Sequence, residues 1–104
     1  MKYEVVLTDR AEHELRAAAD WIALSAPETA SKWFNRFAAA LIRIGDNPYR
    51  CAVASESKRF PYEVRQMTFG RRRTYRAIYT IRERTAVVLR IRHSAQQELG
   101  LDDL

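Results

Sequence analysis

The sequence predicts an α+β fold in which a helical hairpin packs on a small antiparallel sheet, with the element order β-α-α-β-β-β. Two stretches in the N-terminal half carry apolar residues at helical spacing, whereas the C-terminal half alternates apolar and polar residues as strands do. Helices and strands that are separated along the chain are typical of α+β layers. With 104 residues and 47% apolar content, we expect one domain over residues 1–104.

The first two elements follow from a strand pattern and a helix-capping signal. Residues 2–7 are rich in β-branched and aromatic side chains, which predicts a strand. Thr8 or Asp9 is suited to cap a helix, which we expect over residues 9–24. Its apolar positions recur at helical spacing, at Ala11, Leu15, Ala18 and Ile22. The positions expected to face solvent are Arg10, Glu14 and Asp20.

A second helix is predicted after a short break at residues 25–28, because Pro27 suits the first helical turn. Its apolar stripe consists of Ala30, Phe34, Phe37, Leu41 and Ile44. Gly and Pro within the sequence GDNPY at residues 45–49 end this helix. Two helices joined by so short a break are expected to form an antiparallel hairpin.

The C-terminal half predicts a three-stranded antiparallel meander after a loop at residues 50–61. The strands are expected at residues 62–69, 74–82 and 86–93, with turns at 70–73 and 83–85. One face of the middle strand is apolar, with Tyr75, Ala77, Tyr79 and Ile81. Unbroken alternation in the last strand places His93 on the face of Val87, Leu89 and Ile91. A short helical turn is expected at residues 96–99.

Positive charge is concentrated in these strands. Residues 50–93 carry twelve Lys or Arg against three Asp or Glu, a net charge of +9, although the whole chain carries only +5. Such a concentration of positive charge favours nucleic acid or an acidic protein as partner, and the alternative is a solubilising surface.

The single cysteine, Cys51, excludes an internal disulfide and a CxxC metal site. His13 and His93 have no further ligands nearby in the sequence, so we expect neither metal nor cofactor.

No apolar run approaches the roughly 20 residues that a membrane span requires, and no signal peptide is evident, so a cytoplasmic location without membrane contact is expected.

Four segments carry a resemblance to a known family: YEVVLTDRAEHEL at 3–15, APETASKWFNRF at 26–37, YEVRQMTFGRRRTYRAIYTI at 62–81 and AVVLRIRH at 86–93. In their order and spacing they resemble the RelE/ParE superfamily of type II toxin–antitoxin toxins.

The resemblance implies a partner and two kinds of target. A short antitoxin, encoded beside the toxin, wraps over it and holds it inactive. RelE-like members enter the ribosome and cleave mRNA, whereas ParE-like members share the fold but poison DNA gyrase. The arginine-rich sheet and His93 place mRNA cleavage slightly ahead. The alternatives are gyrase inhibition without catalysis, or an inactive member that only binds its antitoxin.

The cleavage hypothesis assigns roles to particular residues by resemblance. Arg76 stands where the family's strand arginine stands and would clamp a phosphate through its guanidinium group. His93 would take part in acid–base chemistry and Glu56 would act as general base, as in the YoeB-like branch. Arg90 and Arg92 would complete the site. The alternatives are a solvated strand arginine, a strand-end histidine, and a loop carboxylate near Lys58 and Arg59.

Two further features bear on the target. A second basic group is expected to contact nucleic acid backbone or, alternatively, acidic antitoxin residues, and it consists of Arg65, Arg71, Arg72, Arg73 and Arg82. The aromatic residue that RelE-like and YoeB-like enzymes place near the chain end is missing, since no Tyr follows Tyr79. That departure argues against efficient RNA cleavage.

Overall fold

The protein forms the six expected helices and strands in the expected order. A computed structural model describes residues 2–100. Its elements are β1 Glu4–Leu7, α1 Asp9–Ala23, α2 Pro27–Arg43, β2 Arg65–Phe69, β3 Tyr75–Arg82 and β4 Thr85–His93. Short 3-10 turns at Ile44–Asp46, Ser55–Arg59 and Arg71–Arg73 lie between them. The predicted α+β class and β-α-α-β-β-β order are therefore confirmed.

The four strands form one sheet in the order β1-β4-β3-β2. Strands β2, β3 and β4 make the predicted antiparallel meander. Strand β1 pairs with β4 in parallel, with Glu4 opposite Thr85, so the sheet is mixed rather than wholly antiparallel. A parallel pair needs a long crossover, and the helices, β2 and β3 together provide the connection between β1 and β4.

The helices begin where local chemistry favours them. The Thr8 hydroxyl accepts a hydrogen bond from the Ala11 amide at 3.1 Å, which caps α1 as predicted. Pro27 opens α2 at its first turn. After α2, Gly45 comes so close to β1 that an added Cβ would lie 2.4 Å from the Tyr3 carbonyl oxygen. Only glycine allows this contact between the end of the hairpin and the sheet.

Apolar side chains pack on both faces of the sheet. The larger cluster joins the helical hairpin to the sheet, and its buried members include Ala11, Leu15, Phe37, Leu41, Ala77, Tyr79, Val88 and Ile91. The smaller cluster lies on the opposite face, where the loop before β2 and the segment after β4 meet the sheet, and contains Ala54, Phe60, Val64, Ile78 and Leu99. The predicted alternation of β3 is thereby confirmed, since Ala77 and Tyr79 face the hairpin while Ile78 faces away.

A β-bulge in β4 changes the faces that simple alternation predicts. Ile78 is opposite Arg90 but Tyr79 is opposite Val88, so Leu89 has no cross-strand partner. Beyond this residue the parity of β4 reverses. Ile91 therefore joins Val88 in the hairpin-side core, whereas Leu89 packs against the opposite cluster. The prediction that His93 shares a face with Val87 and Leu89 is wrong for this reason.

The segment after β4 does not form the expected helical turn. The Gln96 amide donates to the His93 carbonyl at 2.9 Å, which closes a tight turn, and residues 97–100 then run without regular structure. This path lets the Leu99 side chain reach the smaller cluster, where it is fully buried.

Candidate functional site

Arg76, the foremost candidate for chemistry, is held in a closed ion pair. Its Nη1 and Nη2 atoms donate to the Glu56 carboxylate at 3.0 and 2.7 Å, and Nη1 also donates to Gln66 Oε1 at 2.9 Å. The Leu99 amide donates to the same carboxylate at 3.3 Å. Glu56 is fully buried and only 13% of the Arg76 side chain is exposed. The two groups thus neutralise each other beneath the C-terminal segment.

The protonation of Glu56 follows from these contacts. Burial raises the pKa of the Glu56 carboxyl, but hydrogen bonds from Arg76 and from backbone amides lower it by more, so the pKa lies below its usual 4.5. Glu56 is consequently a carboxylate at neutral pH. A base of low pKa whose oxygens already accept several hydrogen bonds is poorly suited to removing a ribose proton.

Arg90 is likewise engaged, in this case by a helix residue. Its Nε and Nη2 atoms donate to the Glu14 carboxylate at 3.0 and 2.8 Å, and the Ile91 amide donates to the same group at 2.9 Å. Strand β1 ends at Leu7, opposite Val88. Beyond that point, the Glu14 carboxylate accepts the hydrogen bond of the Ile91 amide on the edge of β4. The expectation that Glu14 faces solvent is wrong, because this pairing draws it onto the sheet.

The remaining catalytic candidates lie on different faces. Arg92 is the cross-strand partner of Arg76, and its Nη2 donates to the Gln97 carbonyl at 2.8 Å. His93 is opposite Tyr75, whose ring it meets edge-on at 5.2 Å on the hairpin side. The His93 Nδ1 accepts from the Ala95 amide at 3.0 Å. The structure therefore brings Arg76, Glu56 and Arg92 together and separates them from His93.

The predicted nucleic-acid group also divides into two kinds of residue. Arg65 donates to Glu63 at 3.0 Å and to the Cys51 carbonyl at 2.6 Å, which ties β2 to the preceding loop. Arg82 lies over the Tyr62 ring at 5.3 Å. By contrast, Arg71, Arg72 and Arg73 are exposed and form no ion pair within residues 2–100. Nucleic-acid binding by this group stays a prediction.

The β2–β3 turn that carries these three arginines has an unusual backbone. Gly70 has φ of 90°, and Arg72 and Arg73 have φ of 58° and 55°. Two successive arginines in the left-handed region cost about 1–2 kcal/mol each relative to the right-handed helical region. Glycine or asparagine fits such positions more readily. Arg72 and Arg73 thus occupy positions whose backbone conformation disfavours arginine.

Two cations of α2 that the sequence did not single out lie against this turn. Lys32, Arg36 and Arg71 line one surface pocket together with Trp33 and Phe69. The spacing of Lys32 and Arg36, one helical turn apart, was the only available signal, and it is shared by many solvated helix faces. Their proximity to the turn arises from the packing of the hairpin on the sheet.

Within residues 2–100, no group of three or more His, Cys, Asp or Glu side chains is arranged to hold a metal ion. Over the same residues, no helix combines the length and apolar character needed to cross a membrane.

Comparison with known proteins points to one family. The family model described as the ParE toxin of the type II toxin–antitoxin system parDE matches residues 5–98. Among solved structures, the chain is similar to one described as the chromosomal ParDE TA system from P. aeruginosa, with a TM-score of 0.74 and 20% identity. That match covers 88% of this chain and 96% of the other, and at this identity it shows the shared fold alone. No curated protein matches the sequence at a significant level.

Proposed function

We propose that this chain, which belongs to the ParE toxin family of type II toxin–antitoxin systems, arrests growth by binding and inhibiting DNA gyrase. Membership of a parDE-type system implies an antitoxin partner. The mRNA cleavage preferred on the sequence alone receives less support than its alternative, because the matching family is the ParE branch rather than the RelE branch.

The closed Glu56–Arg76 pair is the observation that carries the proposal. Metal-free RNA cleavage needs a cation that is free to stabilise charge on the phosphate and a base that is free to take a proton. Arg76 already gives two hydrogen bonds to Glu56 and one to Gln66. Arg90 is bound to Glu14 in the same manner. Charged side chains whose hydrogen bonds are already made to one another are better suited to a structural role than to catalysis.

The position of His93 supports the same conclusion. Its ring lies with Tyr75 on the hairpin side of the sheet, whereas the Arg76 guanidinium lies with Glu56 on the opposite side. An acid–base residue must reach the same reacting phosphate as the stabilising cation. Since the sheet itself stands between these two groups, His93 is better suited to a binding or packing role.

Exposed apolar side chains on the hairpin support antitoxin binding. Trp21 and Leu24, near the end of α1, are 72% and 80% exposed, and Ile42 on α2 is 69% exposed. Trp21 and Leu24 lie three residues apart at the end of α1, whereas Ile42 lies at the far end of α2. Neighbouring exposed apolar groups such as Trp21 and Leu24 are typical of a surface that a partner covers. We therefore expect the antitoxin to cover apolar residues of the hairpin with an amphipathic segment.

Pulse labelling after induction without antitoxin tests the proposed target. DNA synthesis and protein synthesis are followed separately from the first minutes. Gyrase inhibition predicts that DNA synthesis fails first and that gyrase–DNA cleavage complexes accumulate. An early stop in protein synthesis with intact DNA would support mRNA cleavage, and normal growth would indicate an inactive antitoxin-binding member.

A double variant separates chemistry from structure. Glu56→Leu with Arg76→Met replaces a buried ion pair by apolar side chains, which is often neutral for stability. If the pair is structural, the double variant still arrests growth. If Arg76 and Glu56 perform catalysis, the double variant stays folded but no longer arrests growth. Thermal melting of the purified variant verifies that it is folded.

A further inference from the structure

A basic pocket lies where α2 meets the β2–β3 turn, away from the Glu56–Arg76 pair. Its volume is about 270 Å³, and it is lined by Thr29, Lys32, Trp33, Arg36, Phe69, Gly70 and Arg71. Three of these seven residues are cations and none is acidic. The remaining turn arginines, Arg72 and Arg73, follow directly in the chain, and Arg73 lines a second pocket along β2 with Gln66 and Thr68. We call the five cations at residues 32, 36, 71, 72 and 73 the basic rim.

The helix side of the pocket is built on a fixed aromatic base. Thr29, Lys32 and Arg36 recur at helical spacing, so they lie on one face of α2. The Trp33 ring beside them meets Phe37 at 5.4 Å and Phe69 at 6.3 Å. These contacts fix the stretch of helix that bears Lys32 and Arg36 relative to the strand that leads into the turn.

The turn side of the pocket is also held in place. The Gly70 carbonyl accepts from the Arg73 amide at 3.1 Å. The Arg71 and Arg73 carbonyls accept from the hydroxyls of Thr74 and Ser94, respectively. The turn backbone is thus bonded within the protein while its arginine side chains are exposed. A fixed backbone reduces the conformational entropy lost when these cations bind a ligand.

The basic rim differs from four arginines of the sheet and its loops that are held in ion pairs. Arg59, Arg65, Arg76 and Arg90 each pair with a carboxylate. In the part of the chain that the structure describes, no residue of the basic rim forms an ion pair. Five neighbouring like charges repel one another, and an external polyanion would relieve that repulsion.

We propose that the basic rim binds the phosphate backbone of double-stranded DNA, so that the toxin contacts DNA as well as the gyrase protein. Guanidinium groups bind phosphate oxygens in pairs, and an ammonium group adds a mobile point charge. Contacts of this kind position a protein on DNA without reading its sequence. The choice of DNA rests on the proposed gyrase function, but binding to DNA itself is measurable without gyrase.

The surroundings of the basic rim favour nucleic acid over an acidic protein. A protein partner gains most of its affinity from apolar or aromatic anchors that become buried. The two aromatic side chains of the pocket, Trp33 and Phe69, are half-buried and packed against the hairpin-side core. Among residues 2–100, the exposed large apolar side chains lie outside the pocket, at Val6, Trp21, Leu24, Ile42, Tyr49 and Val53. A ligand recognised mainly through regularly spaced negative charge fits the basic rim better.

Fluorescence anisotropy with a labelled 20-base-pair DNA duplex tests the proposal on the purified full chain, between 50 and 200 mM salt. We expect the affinity to fall steeply with salt. A plot of the logarithm of the association constant against the logarithm of the salt concentration should have a slope no steeper than about −4.5, the value for five phosphate contacts. Lys32→Gln with Arg36→Gln, and separately Arg71→Gln with Arg73→Gln, should each reduce that slope by about 1.8. Sequence changes in the duplex should leave the affinity unchanged.

One double variant, Arg43→Gln with Arg84→Gln, is matched to the rim variants in net charge. It removes two cations, one from the same helix and one from the other strand-connecting turn. It should reduce affinity by far less than either rim variant does. Equal losses in all variants would show a non-local charge effect and would overturn the proposal, as would failure of the wild-type chain to bind DNA at 50 mM salt.

Competing ligands are compared in the same experiment. A duplex RNA of equal length that binds about tenfold more tightly would overturn the assignment to DNA. Loss of polyglutamate binding in the rim variants, with DNA binding retained, would overturn it in favour of an acidic protein. Rim variants that still inhibit gyrase normally would refute a role for this DNA contact, whereas DNA binding without gyrase inhibition would refute the proposed target only.

Discussion

Arg76, at the start of β3, and the three arginines of the turn before it lie only a few residues apart in the chain, yet their surroundings are opposite. Arg76 is 13% exposed and gives three hydrogen bonds to Glu56 and Gln66. Arg71, Arg72 and Arg73 are exposed and have no carboxylate partner within residues 2–100. The residue type is the same, so its role depends on burial and on the available partner. We therefore expect the paired group to stabilise the fold, and we propose that the turn group binds an external anion.

The largest expected effect comes from breaking the buried pair on one side. Glu56→Gln removes the negative charge but leaves Arg76 beneath Leu99, and an uncompensated buried charge destabilises by about 3–5 kcal/mol. Urea unfolding of the purified protein measures this loss. Glu12→Gln is the matched control, because the exposed Glu12–Arg16 pair on α1 contributes only about 0.3–0.5 kcal/mol. Similar losses in both variants would contradict a structural role for the Glu56–Arg76 pair.

The C-terminal segment should account for the next largest effect. Leu99 is fully buried in the smaller cluster, so Leu99→Ala is expected to cost about 2 kcal/mol or more through lost burial and a residual cavity. The same substitution should speed hydrogen exchange at the backbone amide of residue 99, which donates to Glu56 in the wild-type protein. Unchanged stability would mean that the segment does not cover the pair in solution.

Acid should weaken the paired region selectively. The folded-state pKa of Glu56 lies below its usual 4.5, so the unfolded chain binds the proton more readily than the folded chain. The stabilisation is therefore complete above pH 4.5 and is lost as the pH falls through the folded-state pKa. Unfolding free energies measured from pH 6 to pH 3 should fall less steeply for the Glu56→Leu, Arg76→Met double variant. If the unfolding free energies of the wild-type protein and the double variant fell equally with pH, Glu56 would not be the source of the acid sensitivity.

The smallest effect on stability, and the opposite in sign, is expected in the turn. Arg72→Asn places a residue that tolerates the left-handed region at a φ of 58°, so we expect a gain of up to about 1 kcal/mol. Growth arrest should nevertheless weaken, because one cation of the basic rim is lost. Thermal melting and a growth assay measure the two quantities. A variant that loses stability and keeps full toxicity would contradict the contrast between the two regions.

The sequence predicted the elements that depend on local pattern. The helical spacing of Ala30, Phe37 and Leu41 predicts one buried face of α2, and all three are buried. The alternation of Ala77 and Tyr79 predicts one buried face of β3, and both lie in the hairpin-side core. The Thr8 cap follows from the same local chemistry. Such features depend on residues a few positions apart, which a single sequence displays directly.

The candidate site depended on contacts that the sequence does not display. Glu56 and Arg76 were singled out separately for chemistry, but their mutual pairing requires the loop before β2 to fold over the sheet. Glu14 was expected in solvent because its pairing with Arg90 spans most of the chain. The bulge at Leu89 reverses the orientation of His93, and no local signal in AVVLRIRH marks its position. Lys32 and Arg36 reach the turn arginines only through tertiary packing.

A reconstituted comparison of the two targets tests the central claim most directly. Purified toxin is incubated with DNA gyrase, plasmid and ATP, and in parallel with ribosomes translating a defined mRNA. Our account predicts that supercoiling is inhibited, with accumulation of gyrase–DNA cleavage complexes, while the mRNA remains intact. Cleavage of the mRNA on the ribosome with gyrase activity unchanged would contradict it, and would mean that the Glu56–Arg76 pair opens to perform chemistry.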